Sequence, residues 1–216
     1  MVDLDALAAP GAAPKLLVSA TNVEAGQIAY FDSGDHGLSL DHILASGSLP
    51  PSFPMTVIGG KSYWDGGLFD NTPLGAVLDK LGGGRDDPRT VYVVNLFPNK
   101  APIPHSMAEV AERMQNLQFA NKTAEDLRLM ERFNEVAALM KVLDDLPGGN
   151  PIKDTPAFKA IEQRGYVCVP RIVSITRPQQ VSGFDGSDFS PEAIKMRAAE
   201  GYAQTELALK ARGFAP

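Results

Sequence analysis

Cysteine is almost absent from these 216 residues: Cys168 stands alone. One thiol cannot close an intrachain disulfide or build a cysteine-based metal site, so a buried, inert side chain is its expected role. No stretch approaches the run of about 18 apolar residues that a membrane-spanning helix needs. The opening Met1-Val2-Asp3-Leu4-Asp5 has no basic region leading into an apolar core, so it does not read as a secretory signal. These absences predict a cytoplasmic chain without a transmembrane segment, with peripheral membrane contact left open. Asn121-Lys122-Thr123 has the spacing of a glycosylation sequon, but it lies in a helical pattern and no export signal accompanies it. Clustered basic residues are missing too. With a net charge of −6, the chain offers no footprint for nucleic acid and no polybasic patch for anionic lipid headgroups.

What is present suits an ordinary globular protein, with 44% apolar and 21% charged residues. After an Ala- and Pro-rich lead-in over residues 1–14, residues 15–20 form a continuous apolar run. That pattern predicts a strand buried on both faces. Residues 21–26 read as a turn and residues 27–31 as a second strand. A loop at 32–37 precedes a short helix at 41–45, which Gly47 and Pro50-Pro51 end. Residues 56–64 predict a hairpin turning at Gly59-Gly60. Asn71 and Thr72 can cap a helix with Pro73 at its first position, running to about 81 and stopped by Gly82-Gly83-Gly84. Residues 91–97 read as another strand buried on both faces.

Residues 105–146 are predicted as mostly helical, because Met107, Val110, Met114 and Leu117, then Leu127, Met130, Phe133, Ala137 and Met140, recur at helical steps. Such a stripe is expected to be core rather than a cofactor site. A short helix at 156–164, a strand at 171–175 and a last helix capped by Ser190-Pro191 and ending near Gly213 follow. Strands alternating with helices give an α/β fold.

The stretch with chemical content is Ala45-Ser46-Gly47-Ser48-Leu49-Pro50-Pro51-Ser52-Phe53-Pro54, then Tyr63-Trp64-Asp65-Gly66-Gly67-Leu68-Phe69-Asp70-Asn71-Thr72-Pro73-Leu74. Asp-Gly alone is a common hairpin turn. The extended run, however, resembles the patatin-like phospholipases, in which a small-residue helix end and a Pro-rich segment lead to Asp-Gly-Gly or Asp-Gly-Ala. The next helix of that family starts on an Asn-x-Pro-like sequence, matched by Asn71-Thr72-Pro73. Residues 15–31 are similar to its "Leu-x-Val-x-Ala-Thr-x-x-x-x-Gly" strand-turn-strand. Residues 91–146 and 188–207 look like the helical extension and closing helix of a bacterial subfamily.

The resemblance implies part of a three-layer α/β/α fold, with residues 1–98 forming the C-terminal part of the catalytic domain. Residues 99–216 would be a mainly helical extension with one returning strand and a closing helix. It also implies a lipid acyl hydrolase using a Ser-Asp dyad and an acyl-enzyme, with no cofactor and no metal. A serine hydroxyl is a poor nucleophile until a base takes its proton. Asp65 maps onto that base. Gly66 and Gly67 are expected to allow a sharp turn and leave room for a neighbouring helix end. Asn71 and Pro73 support the motif by fixing the next helix. With no basic patch, the lipid or ester substrate would be reached through apolar contact.

Two parts of the family pattern are missing. No serine lies in Gly-x-Ser-x-Gly, the elbow that exposes the nucleophile, so the chain holds no nucleophile and is expected to be inactive alone. Ser46 and Ser48 flank Gly47, but packing is their expected role. Gly82-Gly83-Gly84-Arg85 follows a helix rather than a strand, so it reads as a helix stop and not as an oxyanion loop. Both absent parts belong to the N-terminal half of the family's fold. The chain is therefore expected to be a natural truncation, a split subunit or a piece that pairs with that missing half or with itself.

A triad using His36, His42 or His105 is the rival mechanism, and ordinary polar roles suit those residues better. Asp32-Ser33-Gly34-Asp35-His36-Gly37 faintly resembles a calcium loop, but Ile43 stands where a bidentate Glu is needed. The alternative to a hydrolase is a non-catalytic lipid- or protein-binding remnant that associates through the helical segment 105–146.

Overall fold

The structure, a computed structural model, describes residues 14–35, 37–80, 89–97, 99–164, 169, 171–178 and 188–214. The expectations for residues 1–13, His36, Gly82-Gly83-Gly84 and Cys168 lie outside those residues. The fold is α/β, and the chain divides into two compact units, 1–80 and 81–216.

In the first unit, strands β1 (Leu17–Asn22), β2 (Gln27–Asp32), β3 (Thr56–Ile58) and β4 (Lys61–Asp65) form one sheet in the order β2-β1-β4-β3. Every neighbouring pair is antiparallel. Asn22 explains why β1 runs two residues further than its apolar run. Its side-chain Oδ1 accepts the backbone N–H groups of Glu24 and Ala25 at 3.1 and 2.9 Å, so the turn begins beyond it. Gly26, with φ +60°, completes that turn. The β3–β4 hairpin turns at Gly59 and Gly60, with φ of +57° and +77°, as expected of a two-residue loop with both residues left-handed. Strand β1 departs from the expectation of burial on both faces, because only Ala20 and Thr21 are buried.

Helix α1 (Leu40–Ser46) covers one face of this sheet, where Ala20, Ala45 and Tyr63 form a small core with Ala29, Phe31 and Ile58 against it. The one-turn helix α2 (Gly67–Asp70) follows β4 directly, and α3 (Leu74–Lys80) comes next. Lys80 Nζ then reaches Asp32 Oδ2 at 3.0 Å and Asp35 Oδ2 at 2.7 Å, tying the end of α3 to the loop after β2.

In the second unit, β5 (Thr90–Asn95) and β6 (Arg171–Thr176) pair in parallel, Val91 beside Ile172 and Val94 beside Ile175. Strand β5 is not buried on both faces as its sequence suggests. Val91 and Val93 are covered, while Tyr92 is 53% and Val94 59% exposed. A run of β-branched residues cannot itself reveal that only alternate side chains are covered.

Helix α4 (Met107–Asp144) starts on Ser106, whose hydroxyl accepts the N–H of Glu109 at 3.2 Å. Its second half buries Met130, Ala137 and Met140 as the periodicity predicts. Its first half differs. Met107 is 83% and Met114 67% exposed, and the covered residues are Asn116, Phe119 and Ala120. The covered face thus runs on a different phase, set by Phe119 packing on Phe97 with ring centroids 4.8 Å apart. Helix α5 (Pro156–Arg164) and helix α6 (Pro191–Ala211) match expectation, and Ser190 caps α6 by accepting the N–H of Ala193 at 3.3 Å.

Candidate active site

Asp65 is the last residue of β4. It pairs with Ala20 of β1, so its side chain leaves the sheet on the face that α1 covers. Three backbone-level contacts hold it. Its N–H donates to the carbonyl of Ser48 at 3.0 Å, just beyond α1. Its carbonyl accepts the Thr21 hydroxyl at 2.9 Å. Its Oδ1 accepts the N–H of Gly67, the first residue of α2, at 2.7 Å. Among the described residues, Oδ2 has no hydrogen-bond partner. Partial burial pushes the carboxyl above its ordinary value of 3.8, and the Gly67 N–H opposes that shift less strongly. The arrangement is a half-buried carboxylate with raised basicity and one oxygen uncommitted.

Gly66 and Gly67 are side by side with this carboxylate, but for a reason the sequence reading missed. Gly66 has φ −64° and ψ −27°, ordinary right-handed angles, so no turn demands glycine there. Space demands it. A Cβ on Gly66 would collide with Ser19 Oγ and come within 2.5 Å of the Ser19 carbonyl oxygen. The close neighbour is therefore strand β1, not a helix end. A Cβ on Gly67 would stand 3.1 Å from Asp65 Oδ1 and 3.0 Å from Asn71 Oδ1, which is tight but not obstructed.

Asn71 is brought to the same place through α2. It ends that helix at φ −74° and ψ −15°, whereas a residue capping the next helix would have extended angles. Its role as an α3 cap is thus corrected: the short helix, invisible in the sequence pattern, takes it as a terminus. Pro73, expected at the first helical position, lies one position before the observed start of α3 at Leu74, and its carbonyl accepts the N–H of Val77 at 3.2 Å. Thr72 is fixed by its own N–H donating to Asp70 Oδ1 at 3.1 Å.

Ser48 is buried, and its hydroxyl donates to the Leu44 carbonyl at 2.8 Å and meets Thr56 Oγ1 at 2.9 Å. The expected packing role holds, and its backbone carbonyl adds a hold on Asp65. His42 is engaged elsewhere: its Nδ1 accepts the Ser39 N–H at 2.9 Å, and its ring lies 4.3 Å from Phe31. Asp32, first in the calcium-like loop, is committed to Lys80 and to the Gly34 N–H at 2.7 Å. No group of three or more His, Cys, Asp or Glu side chains among the described residues is placed to hold a metal ion. Nor is any described helix long and apolar enough to cross a membrane.

Thr21 is the site residue that sequence reasoning passed over. It fell in the segment read as a turn, although it is the Thr of the Ala-Thr pair in the strand-turn-strand motif.

Residues 4–78 match a family model described as patatin-like phospholipase. Over these residues the chain is similar to the patatin-like phospholipase family. The matched stretch contains Thr21, Ser48, Asp65, Gly66, Gly67, Asn71 and Pro73, and it ends inside α3, close to where the first compact unit ends. No curated protein matches the chain in a sequence search.

Proposed function

We propose that this patatin-like chain supplies the proton-accepting half of a lipid acyl hydrolase. Asp65 takes the proton of a serine hydroxyl as that oxygen attacks a lipid ester carbonyl. The proton then passes to the departing alcohol as the tetrahedral intermediate collapses to an acyl-enzyme, and water releases the acid by the same steps. The observation that carries this reading is the Asp65 carboxylate at the end of β4, made more basic by burial and with Oδ2 uncommitted among the described residues.

The serine comes from outside these 216 residues, in a segment bearing Gly-x-Ser-x-Gly. In the complete enzyme, residues 1–98 would act as part of the catalytic domain and 99–216 as its helical extension. The exposed Tyr92 and Val94 of β5 support association with that missing segment or with a second copy. Substrate would be met by peripheral, apolar contact with a lipid surface. The absent elbow favours a second reading for the chain in isolation, a non-catalytic lipid- or protein-binding module using the 105–146 helix.

Hydrolysis of a p-nitrophenyl ester tests the proposal. The chain alone is expected to be inactive. The chain combined with a synthesised segment carrying the elbow is expected to hydrolyse the ester, and D65N to abolish that activity. Near-normal turnover by D65N defeats the assignment, and silence from the combined form favours the binding module.

A further inference from the structure

We infer that Thr21 is the positioning residue for the Asp65 carboxylate. The inference rests on the hydrolase reading for its purpose, though not for its geometry. Asp65 is the last residue of β4, where strand pairing ends and the chain turns directly into α2. The end of an element opens more readily than its middle unless something beyond the ladder holds it. Here the Thr21 hydroxyl, on a residue only 8% exposed, donates to the Asp65 carbonyl at 2.9 Å across to the neighbouring strand. On the amide side of the same residue, the Ser48 carbonyl accepts the Asp65 N–H at 3.0 Å. Peptide groups before and after Cα are thus fixed from two different elements, which leaves the side chain only its own rotamers. The Gly67 N–H then selects one of them through Oδ1.

Alanine or valine at position 21 would leave the Asp65 carbonyl without its partner in a covered site, and that carbonyl would move toward water. The carboxylate would follow. Burial is the larger influence on its titration and the Gly67 bond the smaller. No charged side chain takes part in that balance. Asp70, on the helix that follows Asp65, is bonded to the Thr72 N–H, and His42 on α1 is bonded to Ser39. Loss of the Thr21 hydroxyl therefore lowers the Asp65 titration midpoint toward its ordinary value.

The test is an NMR titration of the Asp65 carboxyl carbon in the 216-residue chain, in wild type, T21V and T21S. T21V, which is nearly isosteric, is expected to shift the midpoint downward with an unchanged far-UV circular dichroism spectrum, and T21S to restore it. An unshifted midpoint in folded T21V overturns the inference, as does an equal shift in T21S. Should T21V fail to fold, the wild-type chain decides: a slowly exchanging Thr21 hydroxyl proton close to Asp65 supports the assignment, and a freely exchanging one overturns it. In the completed enzyme T21V is expected to lower kcat while leaving KM unchanged. A shifted midpoint without any esterase activity keeps Thr21 and removes the hydrolase. Esterase activity with an unshifted midpoint does the reverse.

Discussion

Gly66 lies against Ser19 so closely that a methyl group on it would come within 2.5 Å of the Ser19 carbonyl oxygen. The strand that carries Ser19 also carries Thr21, which holds the Asp65 carbonyl from across the sheet. Gly66 and Thr21 therefore do complementary work. The first lets the chain after Asp65 sit down on β1, and the second fixes Asp65 once it is there.

The two glycines of the motif should consequently differ in tolerance. G66A places carbon against backbone that cannot swing aside, and overpacking of this kind costs about 1–3 kcal/mol or more. G67A meets Asn71, whose exposed side chain can yield, and Asp65 Oδ1 at 3.1 Å. Against that stands a gain of roughly 0.4–1 kcal/mol from replacing glycine where the backbone is right-handed. Urea unfolding should show G66A strongly destabilised and G67A near neutral. Equal destabilisation by both would contradict the role given to Ser19.

Asp65 should make the chain less stable at neutral pH than in mild acid. Its carboxyl is raised above 3.8 by burial, so the folded state holds the proton longer than the unfolded state does. Stability then falls as pH climbs from the ordinary value through the folded one, and stays reduced above it. D65N keeps an oxygen to accept the Gly67 N–H and removes the buried charge. Its melting temperature should equal or exceed that of wild type at pH 7, with the difference closing below the ordinary value. A clearly lower melting temperature at pH 7 would show that the charge itself stabilises the fold.

Local signals in the sequence were reliable where a residue's own backbone preference decides the outcome. Gly59-Gly60, Ser190-Pro191 and the breaks around Pro147–Pro151 mark elements whose ends are fixed within a few residues. The site was legible as Asp65 and its neighbours because they are contiguous. Thr21 and Ser48 were not, since their bonds to Asp65 span large separations and neither residue type announces a partner. Thr21 was further hidden because Asn22 next to it starts a turn through its side chain. The phase of α4 was misread for a similar reason: which stripe of a long helix is covered depends on Phe97, well outside it in sequence.

The Lys80 cluster should hold the end of α3 over a wide pH range. The Gly34 N–H and Lys80 keep Asp32 below its ordinary 3.8, so its contribution is present above that value and lost as pH falls through the folded one. Asp35 and Asp32 raise Lys80 above 10.5, so its contribution is present below that value and lost as pH rises through the folded one. D32N should lower the melting temperature across the plateau between them, and the difference should vanish in acid. Because Lys80 is 46% exposed, added salt should shrink the effect. A D32N deficit that persists undiminished at low pH would exclude the ion pairs as its cause.

In the second unit, Asn134 on α4 holds the backbone of Val169 from both sides. Its Nδ2 donates to the Val169 carbonyl at 2.7 Å, and its Oδ1 accepts the Val169 N–H at 2.9 Å. Val169 is only 1% exposed, so both groups would be stranded if the amide were removed. Unsatisfied buried groups cost about 1–3 kcal/mol each, so N134A should destabilise this unit by roughly 2 kcal/mol or more. N134D is the sharper variant. It keeps an acceptor for the Val169 N–H but turns a second oxygen toward the Val169 carbonyl, where only a protonated carboxyl can donate. N134D should therefore exchange its Val169 amide faster than wild type at neutral pH and recover protection in acid. Equal protection of that amide in all three proteins would mean that Val169 is held by something other than Asn134.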